Sequence, residues 1–531
     1  LLLLPLCGCG YFAAGGTTPQ QSAKELADRG AEQLAQGDVD GALTTYDQAV
    51  LSDPHMLAVR AGRAAVYLKK GLYDKAIEEC KASLLIDAKS AKVFAIRAEA
   101  LEGQGDHVKA IEDYTTSLDI DPMQVEVYVR RGVAYRASGN AGLAMKDFAE
   151  ALNRDPNAAR AYLERARADA DANEFEKTVS DCDDAIKLNP KLIDAYAVRA
   201  AANVELERFP NAIADCTRYL DDRQAKEPPP VSIYVVRARA LFGTGDMALC
   251  IADCNLAIAA DEHCSAAYTT RGMALEKQKK YIEAEADFSK AVSLDPHSAM
   301  AYAHRASSLL EDNDIERATG DVAQALAIEP KLPDAICSRA AIFFLKRDFE
   351  GAVREATTAI ALNPRFVRAY NVRGQAYMNS KKFAEAMQDA EAAIRLDRND
   401  TTAYMTHGIG FAHEAQPNKA VADFSRAIEI DSTLVPAYFN RGSAYSELGL
   451  YKKAIEDFTK AIQLEPNYSR AYRGRGICRQ AIGEKLSASQ DFEKYNELLL
   501  RRLSPEEKKK ALSMETPGSS SAPPGSVPGS P

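Results

Sequence analysis

The stretch "NRGSAYSELGLYKKAIEDFTKAIQLEP", residues 440–466, holds two apolar stripes with a glycine between them and a proline at the end. In the second stripe Tyr451, Ala454, Ile455, Phe458, Ala461 and Ile462 recur at i, i+3, i+4 and i+7, the signature of an amphipathic helix. Gly449 ends the first helix, and Pro466 stops the second because its ring cannot continue the hydrogen bonding. A helical pair of this size cannot bury its stripe alone, so neighbours must stack on it.

The neighbours are in the sequence. Arg441-Gly442 returns 34 residues downstream as Arg475-Gly476, and upstream as Arg373-Gly374, Arg271-Gly272 and Arg131-Gly132. With Gly442 as position 8 of a 34-residue unit, Tyr438 is position 4, Tyr445 is 11, Gly449 is 15, Ala454 is 20, Phe458 is 24, Ala461 is 27 and Pro466 is 32. Position 8 then falls at Gly30, Ala64, Ala98, Gly132, Ala166, Ala200, Ala238, Gly272, Ala306, Ala340, Gly374, Gly408, Gly442 and Gly476. This pattern resembles the tetratricopeptide repeat, whose consensus has Trp, Gly, Tyr, Ala, Phe, Ala and Pro at those offsets. The resemblance implies an all-α, right-handed α-solenoid of about fourteen stacked helix-turn-helix units over residues 23–502. Tyr mainly replaces the consensus Trp at position 4, and Cys80, Cys182, Cys216 and Cys254 take position 24 as small apolar packing groups.

One departure from the consensus is systematic. Position 7, where the family prefers Leu, is Arg in every unit except one, which has His407. Position 23 on the second helix is Asp or Glu in every unit except the first, which has Thr45. A planar guanidinium suits a partly buried, two-point pairing with a carboxylate. The expected ladder includes Arg131 with Asp147, Arg271 with Asp287 and Arg441 with Asp457, holding repeats together rather than binding ligand. The register stays open at this level, because Arg271 could meet Asp287 of its own repeat or Asp253 of the one before.

Recognition is then expected at the variable first-helix positions 2, 5, 6, 9, 12 and 13, which line the concave face in the family. Asn371, Phe439, Asn440, Arg470 and Arg473 combine amide donors, an apolar surface and cations, which suits an extended partner segment. Neither a repeated asparagine ladder nor the carboxylate clamp of chaperone-binding members is recognisable.

The excluded classes follow from composition and motifs. The 531 residues carry 66 basic and 76 acidic side chains, a net −10 without a clustered basic footprint, so no nucleic acid is expected as a partner. No phosphate-binding loop, HExxH or nucleophile elbow appears, so no enzyme activity and no cofactor are expected. Asp169, Asp171 and Asn173 imitate the start of a calcium loop, but the Gly and the twelfth-position Glu are missing, and no metal is expected.

The ends differ from the array. "LLLLPLCGCG", residues 1–10, reads as an apolar signal segment, and Leu6-Cys7-Gly8-Cys9 resembles the bacterial lipobox. That resemblance implies a signal remnant over 1–8, a lipid on Cys9 and a linker over 9–22; an ordinary signal remnant or a fragment edge is the other reading. "DDRQAKEPPPVS", residues 221–232, is an insertion that serves as a joint between six and eight repeats or as a stiff surface loop. Residues 503–515 read as a capping helix, with Ser504 as N-cap and Pro505 at N1, and 516–531 as a disordered tail.

The expectation is a non-enzymatic scaffold for other proteins or peptide segments, tethered to a membrane through Cys9 and lying in a bacterial cell envelope, lipid-anchored or exported. An accessory, substrate-recruiting subunit of a glycosyltransferase or of a secretion or envelope-assembly machine is the alternative. A cytoplasmic co-chaperone follows if the N-terminal reading fails.

Overall fold

The computed structural model describes residues 18–222 and 228–502. The signal remnant, Cys9 and most of its linker, the capping helix and the tail therefore lie outside the described residues. Among the described residues are twenty-eight helices and no strand, pairing in chain order as the hairpins of an all-α repeat solenoid. Most first helices cover positions 1–13, as Leu57–Lys69 does, and most second helices cover positions 17–30, as Tyr73–Ile86 does.

The local causes repeat with the sequence. Position 15 is left-handed in all fourteen units, from φ 54° at Ala415 to 90° at Gly245, and this reversal turns the first helix into the second. Glycine accepts that conformation freely, whereas a Cβ makes it cost about 1–2 kcal/mol. Asp38, Asp106, Asp314 and Asp348 at position 16 then cap the second helix, each accepting the N–H three residues on. After the second helix, Asp53 and Asp121 accept the N–H two residues on, at 2.9 and 3.0 Å, and so shape the turn into the next repeat.

Inside each hairpin small groups permit close approach. Ala454 and Ala461 are fully buried, and Phe458 fills the space between them. Size is matched across the pair at positions 8 and 24. A Cβ on Gly132, Gly272 or Gly408 would come within 2.5, 2.6 or 2.7 Å of Phe148, Phe288 or Phe424. Where position 24 is Cys80, Cys182, Cys216 or Cys254, position 8 is Ala64, Ala166, Ala200 or Ala238. Repeat 3 departs from this rule, with Ala98 and a fully buried Tyr114.

The described residues form two compact units that divide between Ala260 and Asp261. Their division falls after repeat 7 and not at the 221–232 insertion, so the joint between six and eight repeats is not where the units part. The physical reason is packing, because Ala200, Cys216 and Tyr219 share a core cluster with Ile233 beyond the insertion. Within each unit the first helices of successive repeats touch, while the second helices make no comparable contact, so the first helices line the inner face. The second unit also carries a long-range contact: Lys279 Nζ lies 3.0 Å from Asp431 Oδ2, joining its first repeat to its fifth.

Candidate functional site

Six position-7 arginines, Arg131, Arg199, Arg305, Arg373, Arg441 and Arg475, end in a three-part node. Arg131 donates from Nε and Nη2 to the two carboxylate oxygens of Asp147, both at 2.8 Å. Arg271 does the same to Asp287 at 2.8 and 2.7 Å, and Arg441 to Asp457 at 2.8 and 2.8 Å. The carboxylate is therefore the one sixteen residues ahead in the same repeat, and Asp253 is held by Arg237. The remaining Nη1 reaches back to position 25 of the preceding repeat. Arg131 donates to Thr115, Arg373 to Thr357, Arg441 to Ser425 and Arg475 to Thr459, each at 3.1 Å.

The third part is position 4. The guanidinium of Arg131 lies 5.6 Å from the ring centroid of Tyr128, with equivalent contacts at Tyr162, Tyr196, Tyr268, Tyr302, Tyr370, Tyr438 and Tyr472. Tyr370 and Tyr472 donate their hydroxyls to the carbonyls of Pro364 and Pro466 at 3.2 Å, which indole in place of phenol would not do in the same way. Where all three parts are present, the ladder binds a hairpin to itself and to the one before. Its guanidinium groups do not point freely into the inner face.

In the first unit the inner face is charged and paired. Arg130 lies 3.3 Å from Glu99 and 3.1 Å from Glu126, and Arg160 also contacts Glu126. Arg136 reaches Asp171 at 3.0 Å, while Arg167 reaches Glu164 at 2.8 Å and Asp194 at 3.2 Å. Burial, partly offset by Arg130, pushes the Glu99 carboxyl above the ordinary carboxylate value.

The second unit has a different inner face. Glu276, His304, Ser307, Asp334, Ser338 and Arg368 come from four successive first helices and meet there. The His304 Nδ1 is 2.9 Å from Glu276 Oε2, Ser307 donates to the other oxygen, and His304 Nε2 is 4.0 Å from Asp334. Burial alone would raise the Glu276 pKa, but the His304 hydrogen bond and charge bring it down to about 2. Burial likewise opposes the His304 cation, and Glu276 outweighs it, so the imidazole pKa is raised. Arg368 donates only to Ser338 Oγ, at 3.3 Å, among the described residues. All six occupy positions 2, 6, 9 or 12, but reading each position along the array did not join them, because they differ from repeat to repeat.

Towards the end of the array the candidate contacts separate. Asn371 is half-buried and donates to Asp400, the N-cap of the next first helix. Phe439 is packed between Phe458, 5.8 Å away, and Tyr468, 5.4 Å away and edge-on. These two side chains are engaged inside the array, which removes them as freely presented donor and anchor. Asn440 is half-buried, and Arg470 and Arg473 are exposed. Among the described residues no group of three or more His, Cys, Asp or Glu is arranged to hold a metal ion.

Sequence profiles described as "Tetratricopeptide repeat" match residues 33–100, 125–158, 265–298, 343–401 and 435–468. No curated protein matches the chain. Among solved structures, the APC/C hetero-tetramer Cut9-Hcn1 is 13% identical, with 81% of this chain and 98% of that one covered and a TM-score of 0.48. MamA is 27% identical over 32% of this chain and 96% of that one, with a TM-score of 0.29. A tetratricopeptide repeat protein from Parabacteroides merdae is 20% identical over 48% and 99%, with a TM-score of 0.37. The repeat pattern, the paired helices and the matching profiles agree: the chain belongs to the tetratricopeptide repeat family.

Proposed function

We propose that this protein is a non-catalytic scaffold that holds extended segments of partner proteins along the inner face of its second unit. The observation that carries this reading is Arg368, an inner-face guanidinium with one hydrogen bond at 3.3 Å, in a molecule whose other inner-face arginines are largely paired with carboxylates. Its open donors suit main-chain carbonyls or a carboxylate of a bound segment, with Asn440 and Arg473 as further polar contacts along the same face. The lipobox-like Leu6-Cys7-Gly8-Cys9 supports a tether to a bacterial envelope membrane, where the scaffold serves alone or recruits substrates for an enzyme.

The test is affinity capture from native membranes with the full chain and with an Arg368→Ala, Asn440→Ala, Arg473→Ala variant. Loss of the same partners from the variant, with helicity unchanged, is the expected result. Full recovery of every partner would remove the inner face of the second unit as the binding surface. Intact mass of the protein from its native host checks the tether, and a chain without a lipid increment would reject it.

A further inference from the structure

We propose that the edge of the first unit at which the chain enters, carrying Leu51, Leu85 and Met123, rests on the surface of a lipid bilayer. Leu85 is 91% exposed and Leu51 86%, the two highest values for large apolar side chains among the described residues, and Met123 is 70% exposed. Single exposed apolar groups are ordinary on a protein surface, but these three stand on one rim of three successive repeats. Leu51 and Leu85 occupy position 29 of repeats 1 and 2, where later repeats have Asn153, Lys187, Ser293 and Arg395. Met123 occupies position 33 of repeat 3, where later repeats have Asn157, Lys191 and His297.

The packing sets them on the same rim. Pro19–Ala35 and Val39–Ser52 are joined by a tight turn and run antiparallel, with Ala23 and Ala49 in one core cluster. The last turn of the second helix, with Leu51, therefore lies beside the first turn of the first helix. In repeat 2 Leu57 and Leu84 share a core cluster in the same way, which sets Leu85 at the equivalent place. Met123 follows the second helix of repeat 3, and its N–H donates to Asp121 at 3.0 Å, fixing the turn that presents it. In the two preceding turns Asp53 and Asp87 accept the N–H groups of His55 and Lys89, both at 2.9 Å.

The chain itself argues for the occupant. It reaches the rim at the N-cap Thr18, nine residues after Cys9, a span of at most about 32 Å. A lipid on Cys9, the tether on which this inference rests, keeps the entry point of the rim within that distance of the headgroups. Among the described residues no helix is long and apolar enough to cross a membrane, so the contact is peripheral. Apolar tips about one helix-pair spacing apart, roughly 10 Å, suit the boundary between headgroups and acyl chains, where they enter while the polar residues between them stay hydrated.

The chain has no tryptophan, so a single introduced indole reports its own surroundings. Leu51→Trp, Leu85→Trp and Val108→Trp are made in the full chain, purified from the native host and reconstituted into phosphatidylethanolamine–phosphatidylglycerol vesicles with or without brominated acyl chains. Val108 is 67% exposed at the start of the second helix of repeat 3, about 16 Å along the helix from position 29. All three positions are exposed, so the substitutions leave the fold intact. Bromine is expected to lower the emission of Leu51→Trp and Leu85→Trp at least about twofold and to leave Val108→Trp unchanged. No quenching, or equal quenching at Val108, in protein whose intact mass includes a lipid would overturn the rim contact and leave the tether standing. Protein without the lipid increment would overturn both. A blue shift of Leu51→Trp that grows with protein concentration and needs no vesicles would overturn the proposal in favour of a second copy on the rim.

Discussion

Replacing Asp147 with alanine isolates one node of the ladder. Its carboxylate takes two 2.8 Å hydrogen bonds from Arg131, and the two side chains are 8% and 16% exposed. Breaking a buried pair by removing one partner typically costs about 3–5 kcal/mol, because the remaining charge stays desolvated. Arg131 keeps Thr115 and some water, which moves the expectation to the lower end, about 3 kcal/mol. Arg208→Ala serves as a comparison, since its pair with Glu176 is 42% and 65% exposed and should contribute about 0–1 kcal/mol. The combination Arg131→Met with Asp147→Leu should recover most of the loss, because no unpaired charge remains. Urea titrations read by circular dichroism, with hydrogen exchange to localise the effect, measure all three, since a repeat array need not unfold in one step. An Asp147→Ala loss no larger than that of Arg208→Ala, or a double variant as unstable as the single, would refute the argument that the ladder is a buried fastening.

Gly132→Ala should destabilise by about 1–3 kcal/mol, because the added Cβ comes within 2.5 Å of Phe148. Gly374→Ala should be neutral or stabilising by up to about 1 kcal/mol, since its nearest neighbours are 3.5 Å away, and thermal melts compare the two. Calorimetry of Glu276→Gln tests the buried pair: the depressed Glu276 pKa gives stability present above the ordinary value of 4.5 and lost towards 2, and the raised His304 pKa gives stability present below 6.5 and lost at higher pH. The wild type should therefore show both limbs around a maximum between those ordinary values, and the variant neither. Alkylation of the native protein should spare Cys80, Cys182 and Cys216, whose thiols burial pushes up to about 12, and among the cysteines of the described residues should reach half-buried Cys264 first, as mass spectrometry of the labelled peptides would show.

The array was legible because one spacing of 34 residues carries turn, cap, core and stop together. The arginine ladder was legible in composition but not in register, since Asp287 and Asp253 stand 16 residues after and 18 before Arg271, and both separations suit adjacent helices. Packing decided it, and also revealed the third donor at position 25, where Thr115, Thr357, Ser425 and Thr459 share only an acceptor oxygen. The turn at position 15 shows the opposite case. Glycine marks it in half the repeats, yet Lys279, Arg347 and Ala415 take the same left-handed backbone, because the hairpin around them fixes it.

The inner-face cluster was not legible, and the reason bears on where function lies in such an array. Glu276, His304, Asp334 and Arg368 stand at positions 12, 6, 2 and 2 of four repeats, and the two at position 2 carry opposite charges, so no repeated residue connects them, and only the contact between successive first helices brings them together. A periodic signal reports what every repeat needs, which is packing and closure. A binding surface needs different groups at neighbouring places, and so it departs from the period wherever it is specific. By the same logic Phe439, which offered an apolar surface for a partner segment, proved to fill a gap beside Phe458 and Tyr468. An irregular residue becomes a candidate contact only when its neighbours leave its polar atoms or its apolar face unused. Arg368 meets that condition and Phe439 does not.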